Sequence, residues 1–314
     1  MLLSSIVSTL VSLTGAVLSA HALAVSGPGP TLPVQARDSD PSLVLTPAGY
    51  KSAGNVHQVP HGATVSHIGT DMHVTDKNGA LLKIVPGPVG ADARAATRTT
   101  SSPIPAQTGW ITYASWVNPN ATLPIKTFSA DFVVPEPPQV YTNQTVFLFP
   151  ALLPVDGTSI LQPVLQYGSS GAGGGEYWSV AMWYVFDGDY YYVTPLVQVS
   201  SGQSLQGILS MVSDVGGYYT YTTSMSPVTA AGALTVNIWV QLGWATLTLE
   251  AYGVTDAKSY SAGTTTFNNI LLQTTAETSP TAPSWSVIND EEDGITTTID
   301  QAALNGKGVV VINY

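Results

Sequence analysis

Three side chains of this sequence are of the right type for acid–base or oxyanion chemistry and lie in segments with strand-like alternation: Gln166, Glu176 and Glu250. In residues 160–167, Gln162, Val164 and Gln166 fall on one face, and Leu161, Pro163 and Leu165 on the other. In residues 245–252, Thr246, Thr248, Glu250 and Tyr252 oppose Leu247, Leu249 and Ala251. Glu176 shares a face with Trp178, Val180, Met182 and Tyr184, and Asn237, Trp239 and Gln241 share another. An amide can stabilise an oxyanion, and a carboxyl can serve as general acid or base. Two carboxyls could instead hydrolyse a glycosidic bond, with their separation setting the stereochemistry. Each residue also has a plain structural reading. Gln166 could satisfy a backbone group, Glu176 could solvate the glycine-rich loop beside it, and Glu250 could pair with a tyrosine hydroxyl.

What surrounds these residues narrows the chemistry. Of 314 residues 9% are charged, the formal net charge is -11, and there is no cysteine. A disulfide scaffold, a cysteine nucleophile and a cysteine-ligated zinc are excluded, and a nucleic-acid binder would need a basic face. The charges divide unevenly at Gln107. Residues 1–107 hold six bases, five acids and all five histidines, whereas residues 108–314 hold three bases, fifteen acids, and no histidine or arginine. The second part therefore cannot build a Ser-His-Asp triad or a histidine-ligated zinc. Its acid–base groups must be Asp, Glu, Tyr or Lys, helped by Gln or Asn. Gly171-Ala172-Gly173-Gly174-Gly175 lacks the following Gly-Lys-Ser/Thr of a phosphate cradle and reads as a wide turn. Asp290-Glu291-Glu292-Asp293 reads as a solvated loop rather than a calcium site, since it has no EF-hand pattern. Neither metal nor cofactor is expected.

The positioning elements follow from composition and alternation. Residues 1–24 read as a secretory signal peptide, apolar and then small-x-small. Residues 25–107 form a prosegment-like region: Pro/Gly-rich linker, a short strand near Val65–Ile68, an Asn-Gly hairpin around Asp76–Gly79, and a second linker with Arg94 and Arg98. Residues 108–314 carry about ten short Val-, Ile-, Thr-, Tyr- and Trp-rich runs separated by turn residues, which predicts an all-β antiparallel double-sheet sandwich or barrel. Residues 268–273 fit a short helix or an edge segment equally. Asn120 and Asn143 head glycosylation sequons. If the sheet curves, the faces bearing Gln, Glu, Trp and Tyr make a groove suited to an extended peptide or a glycan, with Gln162, Trp178, Tyr184, Trp239 and Tyr252 as substrate contacts.

Residues 110–290 resemble the fungal glutamic peptidases, the eqolisins, secreted acid-acting enzymes with a concanavalin A-like double sheet. Phe128-Ser129-Ala130-Asp131-Phe132-Val133-Val134-Pro135 resembles that family's first conserved strand. Val164-Leu165-Gln166-Tyr167-Gly168 resembles its Ile-Leu-Gln-Thr-Gly, and Ala181-Met182-Trp183-Tyr184 its Ala-Trp-Tyr segment. The resemblance implies that Gln166 is catalytic. The family's catalytic Glu, in Trp-Ile-Val-Glu-Asp, meets Ile288 in Trp285-Ser286-Val287-Ile288-Asn289-Asp290, so Glu250, Asp290 or Glu292 would have to supply the carboxyl. The implied function is a secreted, monomeric acid endopeptidase acting on extended peptides. A glycan-binding or glycan-cleaving sandwich is the alternative, with Glu176 and Glu250 as acid and base and Trp178, Trp239 and Tyr252 stacking on sugars. A His-bearing segment ahead of an acidic domain also reads as a prosegment released in acid, its histidines charging between pH 5 and 7.

Overall fold

The computed structural model describes residues 42–87, 109–186, 190–275, 283–289, 294–300 and 308–314. The expected signal peptide, residues 25–41 and 88–107 of the expected linkers, and the acidic run with Asp290 and Glu292 lie outside them. Asp38–Tyr314 form one compact unit.

Six strands come first: β1 (Leu43–Thr46), β2 (Gly49–Ser52), β3 (Val56–Gln58), β4 (Ala63–Ile68), β5 (Asp71–Thr75) and β6 (Leu81–Val85). Then follow β7 (Trp110–Val117), β8 (Ile125–Val133), β9 (Thr145–Leu153), β10 (Ser159–Ser170), β11 (Gly173–Phe186), β12 (Tyr190–Val193), β13 (Val197–Gln198) and β14 (Ser204–Val215). The last are β15 (Tyr218–Ser226), β16 (Ala233–Ile238), β17 (Trp244–Tyr252), β18 (Thr264–Thr274), β19 (Ser286–Asn289), β20 (Thr296–Asp300) and β21 (Val309–Asn313). The chain is an all-β sandwich, as its alternation predicts. One sheet runs β19-β7-β17-β9-β10-β11-β12-β3, with β13 also on β11, and the other runs β20-β21-β18-β8-β14-β15-β16-β4-β5-β6. Residues 268–273 belong to strand β18, not to a helix.

The core has two parts. The larger fills the space between the sheets, where Phe128, Phe132 and Leu209 of one meet Leu161, Leu165 and Leu247 of the other. The smaller lies on the far face of the first sheet, where Phe147, Phe149, Val164, Trp183 and Trp244 pack. The first sheet is therefore covered on both faces, which explains why β9 and most of β10 are buried along nearly their whole length.

The N-terminal strands do not make a core of their own. β3 pairs in parallel with β12 at the edge of the first sheet, and β4 pairs in parallel with β16 at the edge of the second. Val59, Ala63, Val65, Met72, Val74 and Val85 enter the main core. The Asn-Gly hairpin is formed as read: β5 pairs with β6, and Asp76 Oδ1 accepts from the N–H groups of Asn78 and Ala80. The β1–β2 hairpin, in a stretch whose composition suggests linker, was not legible; it pairs with itself alone and sends Leu45 into the smaller cluster.

Candidate functional site

Strand register brings the two best chemical candidates onto one face. Gln166 of β10 stands opposite Phe147 of β9, and Phe147 stands opposite Glu250 of β17. The row continues to Trp110 of β7 on one side and Ser179 of β11 on the other. Directly paired residues share a face, so all five point into the smaller cluster, away from the second sheet. Two inter-strand spacings put the Cα atoms of Gln166 and Glu250 about 10 Å apart, with the Phe147 ring between them.

Glu250 is fully buried. The Tyr252 hydroxyl donates to its Oε1 at 2.5 Å, while Oε2 has no hydrogen-bond partner. Burial pushes the carboxyl up to about 8, against the Tyr252 and Trp110 side chains, which favour the ionised form. The group is thus a neutral acid at pH 7 and below. Backbone geometry fixes this pair. Gly109 has φ +92°, and a Cβ there would lie 2.3 Å from Cζ of Tyr252; its carbonyl accepts from the Ala251 N–H at 2.7 Å.

Gln166 is also fully buried. Its Nε2 donates to the carbonyls of Gly168 at 2.8 Å and Gly173 at 3.0 Å, and its Oε1 accepts from Ser170 Oγ at 2.8 Å. The amide therefore ties the glycine-rich tip between β10 and β11. Gly174, at φ +107°, is required there, since a Cβ would lie 2.4 Å from the Gly168 carbonyl and 2.5 Å from Gln166 Nε2. Both plain readings of these residues, the backbone-satisfying glutamine and the tyrosine-paired glutamate, describe contacts that are present.

The same face holds an unusual number of unpaired buried polar atoms: Gln162 Nε2 and Oε1, Ser179 Oγ, Trp183 Nε1, Trp244 Nε1 and the Tyr113 hydroxyl, besides Glu250 Oε2. Buried polar groups are nearly always hydrogen-bonded, so this wall is under-satisfied. What packs on it includes Leu45, Ala48 and Val56 of the N-terminal strands. The Leu45 carbonyl accepts from the Gly171 N–H at 2.7 Å, so the β1–β2 hairpin also holds the glycine-rich tip.

Several expected contacts lie elsewhere. Trp178 and Tyr184 are in the core between the sheets, on the opposite side of β11 from Gln166. Both faces of β11 are apolar and aromatic, so alternation alone could not tell which faced the amide. Trp239 packs with Phe186 and His67, not on this face. Glu176 is exposed near the glycine-rich tip, where the β10–β11 register shifts; burial, and then the Glu176 charge, raise the Tyr167 phenol. Its exposed setting differs from that of the fully buried Glu250, and these two are the only carboxylates on the described strands of the first sheet. Gln162 and Tyr252 are on the face as expected. Trp110, Phe147, Trp183 and Tyr113 were missed; the small-large alternation Ala181-Trp183-Val185 was the available signal. Ile288, which stands where the resembled family has its Glu, packs on the same face opposite Tyr113.

A cavity of about 400 Å³ lies on the second sheet, lined by Asp131, Gln206 and Asn269. Its polar groups satisfy one another: Asp131 accepts from Gln206 Nε2 at 2.7 Å and from Asn269 Nδ2 at 2.8 Å. Among the described residues no group of three or more His, Asp or Glu is placed to hold a metal ion.

No protein-family model and no curated protein matches the chain. Solved structures similar in fold include two peptidases. One is a scytalido-glutamic peptidase with a transition state analog inhibitor, at 14% identity and TM-score 0.44, covering 66% of this chain and 98% of that one. The other is SCP-B, a member of the eqolisin family of peptidases, in complex with the tripeptide Ala-Ile-His, at 15% identity and TM-score 0.39, covering 65% of this chain and 98% of that one.

Proposed function

We propose that the chain is the latent form of a secreted acid-acting endopeptidase, with Glu250 as its acid–base group and Gln166 as its oxyanion donor. The observation that carries this reading is Glu250 itself: a fully buried carboxyl with no cation beside it among the described residues, one oxygen unpaired, in a wall of other unpaired polar atoms. A strongly perturbed carboxyl at such a place costs stability and is best explained by chemistry. Under its apolar cover Glu250 is protonated and cannot activate water. Hydrated, it would return toward the ordinary carboxylate range near 4 and act as a base in weak acid.

The scissile carbonyl then has a seat over the Phe147 ring, between amide and carboxyl. Glu250 takes a proton from water as the oxygen bonds to the carbonyl carbon. The oxyanion is met by the Gln166 N–H, freed from Gly173 when the glycine-rich tip shifts. Glu250 returns the proton to the departing amine as the C–N bond breaks. Asp290 or Glu292, beyond the end of β19, remains the candidate for a second carboxyl. A retaining or inverting glycosidase finds less support, because Glu176 is exposed while Glu250 is fully buried.

Magnitudes decide which part of the N-terminal region moves. Six apolar side chains between Val59 and Val85 sit in the main core, and exposing each costs about 1.5–3 kcal/mol. The β1–β2 hairpin contributes only Leu45 as a fully buried apolar residue. We therefore place the movable cover at residues 43–52, with β4–β6 staying as part of the sandwich. The test is digestion of a denatured protein substrate across pH 2–6 after acid exposure. Wild-type protein is expected to cleave it and Glu250→Gln to lose at least about 100-fold; equal rates in the two would overturn the assignment.

A further inference from the structure

We infer that Gln162 forms a second substrate subsite, one that recognises a carboxamide side chain, Asn or Gln, of the bound peptide. Gln162 has no exposed surface, and neither its Nε2 nor its Oε1 has a partner. Directly across the β10–β11 pairing stands Trp183, whose indole N–H is unpartnered too. On the β9 side the neighbouring residue is Ala151, whose own partner on β17 is Thr246. A small residue on one flank and an indole on the other leave the amide's polar atoms unmet.

The chemistry of the site follows from what is missing. An unpaired buried amide costs the desolvation of both its groups, whereas an apolar side chain of the same shape would be neutral or stabilising. A glutamine kept there is a cost to the fold that a ligand can recover. A carboxamide presents a donor and an acceptor side by side in one plane. Its complement is another carboxamide, which closes two antiparallel hydrogen bonds and lays its plane along the indole. Neither partner titrates, so the recognition holds in acid.

Four strand residues separate Gln162 from Gln166, about 13 Å. An extended peptide crosses that distance in about four residues, so the preferred Asn or Gln lies about four residues from the cleaved bond, on one side of it. Access to Gln162 rests on the uncovering of this face in the proposed function, and the cleavage position rests on the peptidase chemistry.

The test uses the full chain after acid exposure, wild type against Gln162→Leu, and synthetic decapeptides in which one Gln is stepped along an otherwise constant Leu-containing sequence. Wild-type protein should favour one Gln position by about 10-fold or more in kcat/KM, carried by KM. Gln162→Leu should lose that preference while keeping an equal or higher Tm. The same preference in both proteins, or no preference in the wild type, would overturn the subsite. If neither protein cleaves any peptide, the peptidase reading fails by itself, and titration of the same peptides against tryptophan fluorescence decides the subsite. Tighter binding of one Gln peptide that Gln162→Leu abolishes would uphold it, and equal binding would refute it.

Discussion

Two buried titratable groups pull this protein's stability in opposite directions with pH. Glu250 is raised to about 8 by burial, so the folded state holds a proton that the unfolded chain releases near pH 4. Its contribution is complete below pH 4 and is lost as pH rises toward 8. His67 is lowered to about 4, again by burial: its ring sits edge-on to Phe186 and Trp239, and Nε2 bonds the Tyr184 hydroxyl at 2.9 Å. Its contribution, about 3 kcal/mol by the size of that shift, is present above pH 6.5 and is lost as pH falls to 4. His57 is lowered likewise, by burial and then by Lys83, whose Nζ lies 3.0 Å from its Nδ1. The expectation that these histidines charge between pH 5 and 7 is corrected accordingly: His57 and His67 stay neutral until about pH 4. Urea unfolding across pH should show Glu250→Gln gaining stability over wild type above pH 8 and none below pH 4. His67→Phe should flatten the decline between pH 6.5 and 4. Unchanged pH slopes in either variant would refute that burial.

At the scale of elements, the face of each strand was readable only where one side was plainly apolar. β10 and β17 alternate cleanly, so Gln162, Gln166, Glu250 and Tyr252 were assigned to one face from the sequence. β11 is buried on both sides, so its alternation does not say that Trp183, rather than Trp178 and Tyr184, shares the Gln166 face. The row Gln166–Phe147–Glu250 depends on non-local register between β10, β9 and β17, which no local pattern encodes. The β1–β2 hairpin escaped notice because its strands are four residues each and lie beside Pro/Gly-rich sequence. Its role as a cover can be tested directly, because the chain has no cysteine of its own. A Cβ on Gly171 would lie 2.9 Å from Val44 Cγ2, a spacing suited to a bridge. Val44→Cys/Gly171→Cys should be inactive when oxidised and regain wild-type activity on reduction; activity in the oxidised form would show that the hairpin does not gate the face. Gly174→Ala should disrupt the tip and cost at least about 2 kcal/mol, since it adds a clash to a backbone conformation that L residues avoid.

The whole molecule is suited to acid by what it lacks. Nine lysines and arginines and five histidines limit its positive charge even when every carboxyl is protonated, so self-repulsion at pH 3 stays small. The two-layer core with its shared N-terminal strands should therefore keep its β-sheet circular dichroism at pH 3, where loss of that signal would mean that the core, not the cover, yields first. The most direct measurement is a single time course after a shift to pH 3. Digestion of a denatured protein substrate is followed beside exposure of the β1–β2 segment, read by limited proteolysis and mass spectrometry. Activity that rises in step with exposure or loss of residues 43–52, and is absent in Glu250→Gln, is the predicted result. Full exposure of the face with no cleavage, or cleavage that precedes exposure, would contradict it.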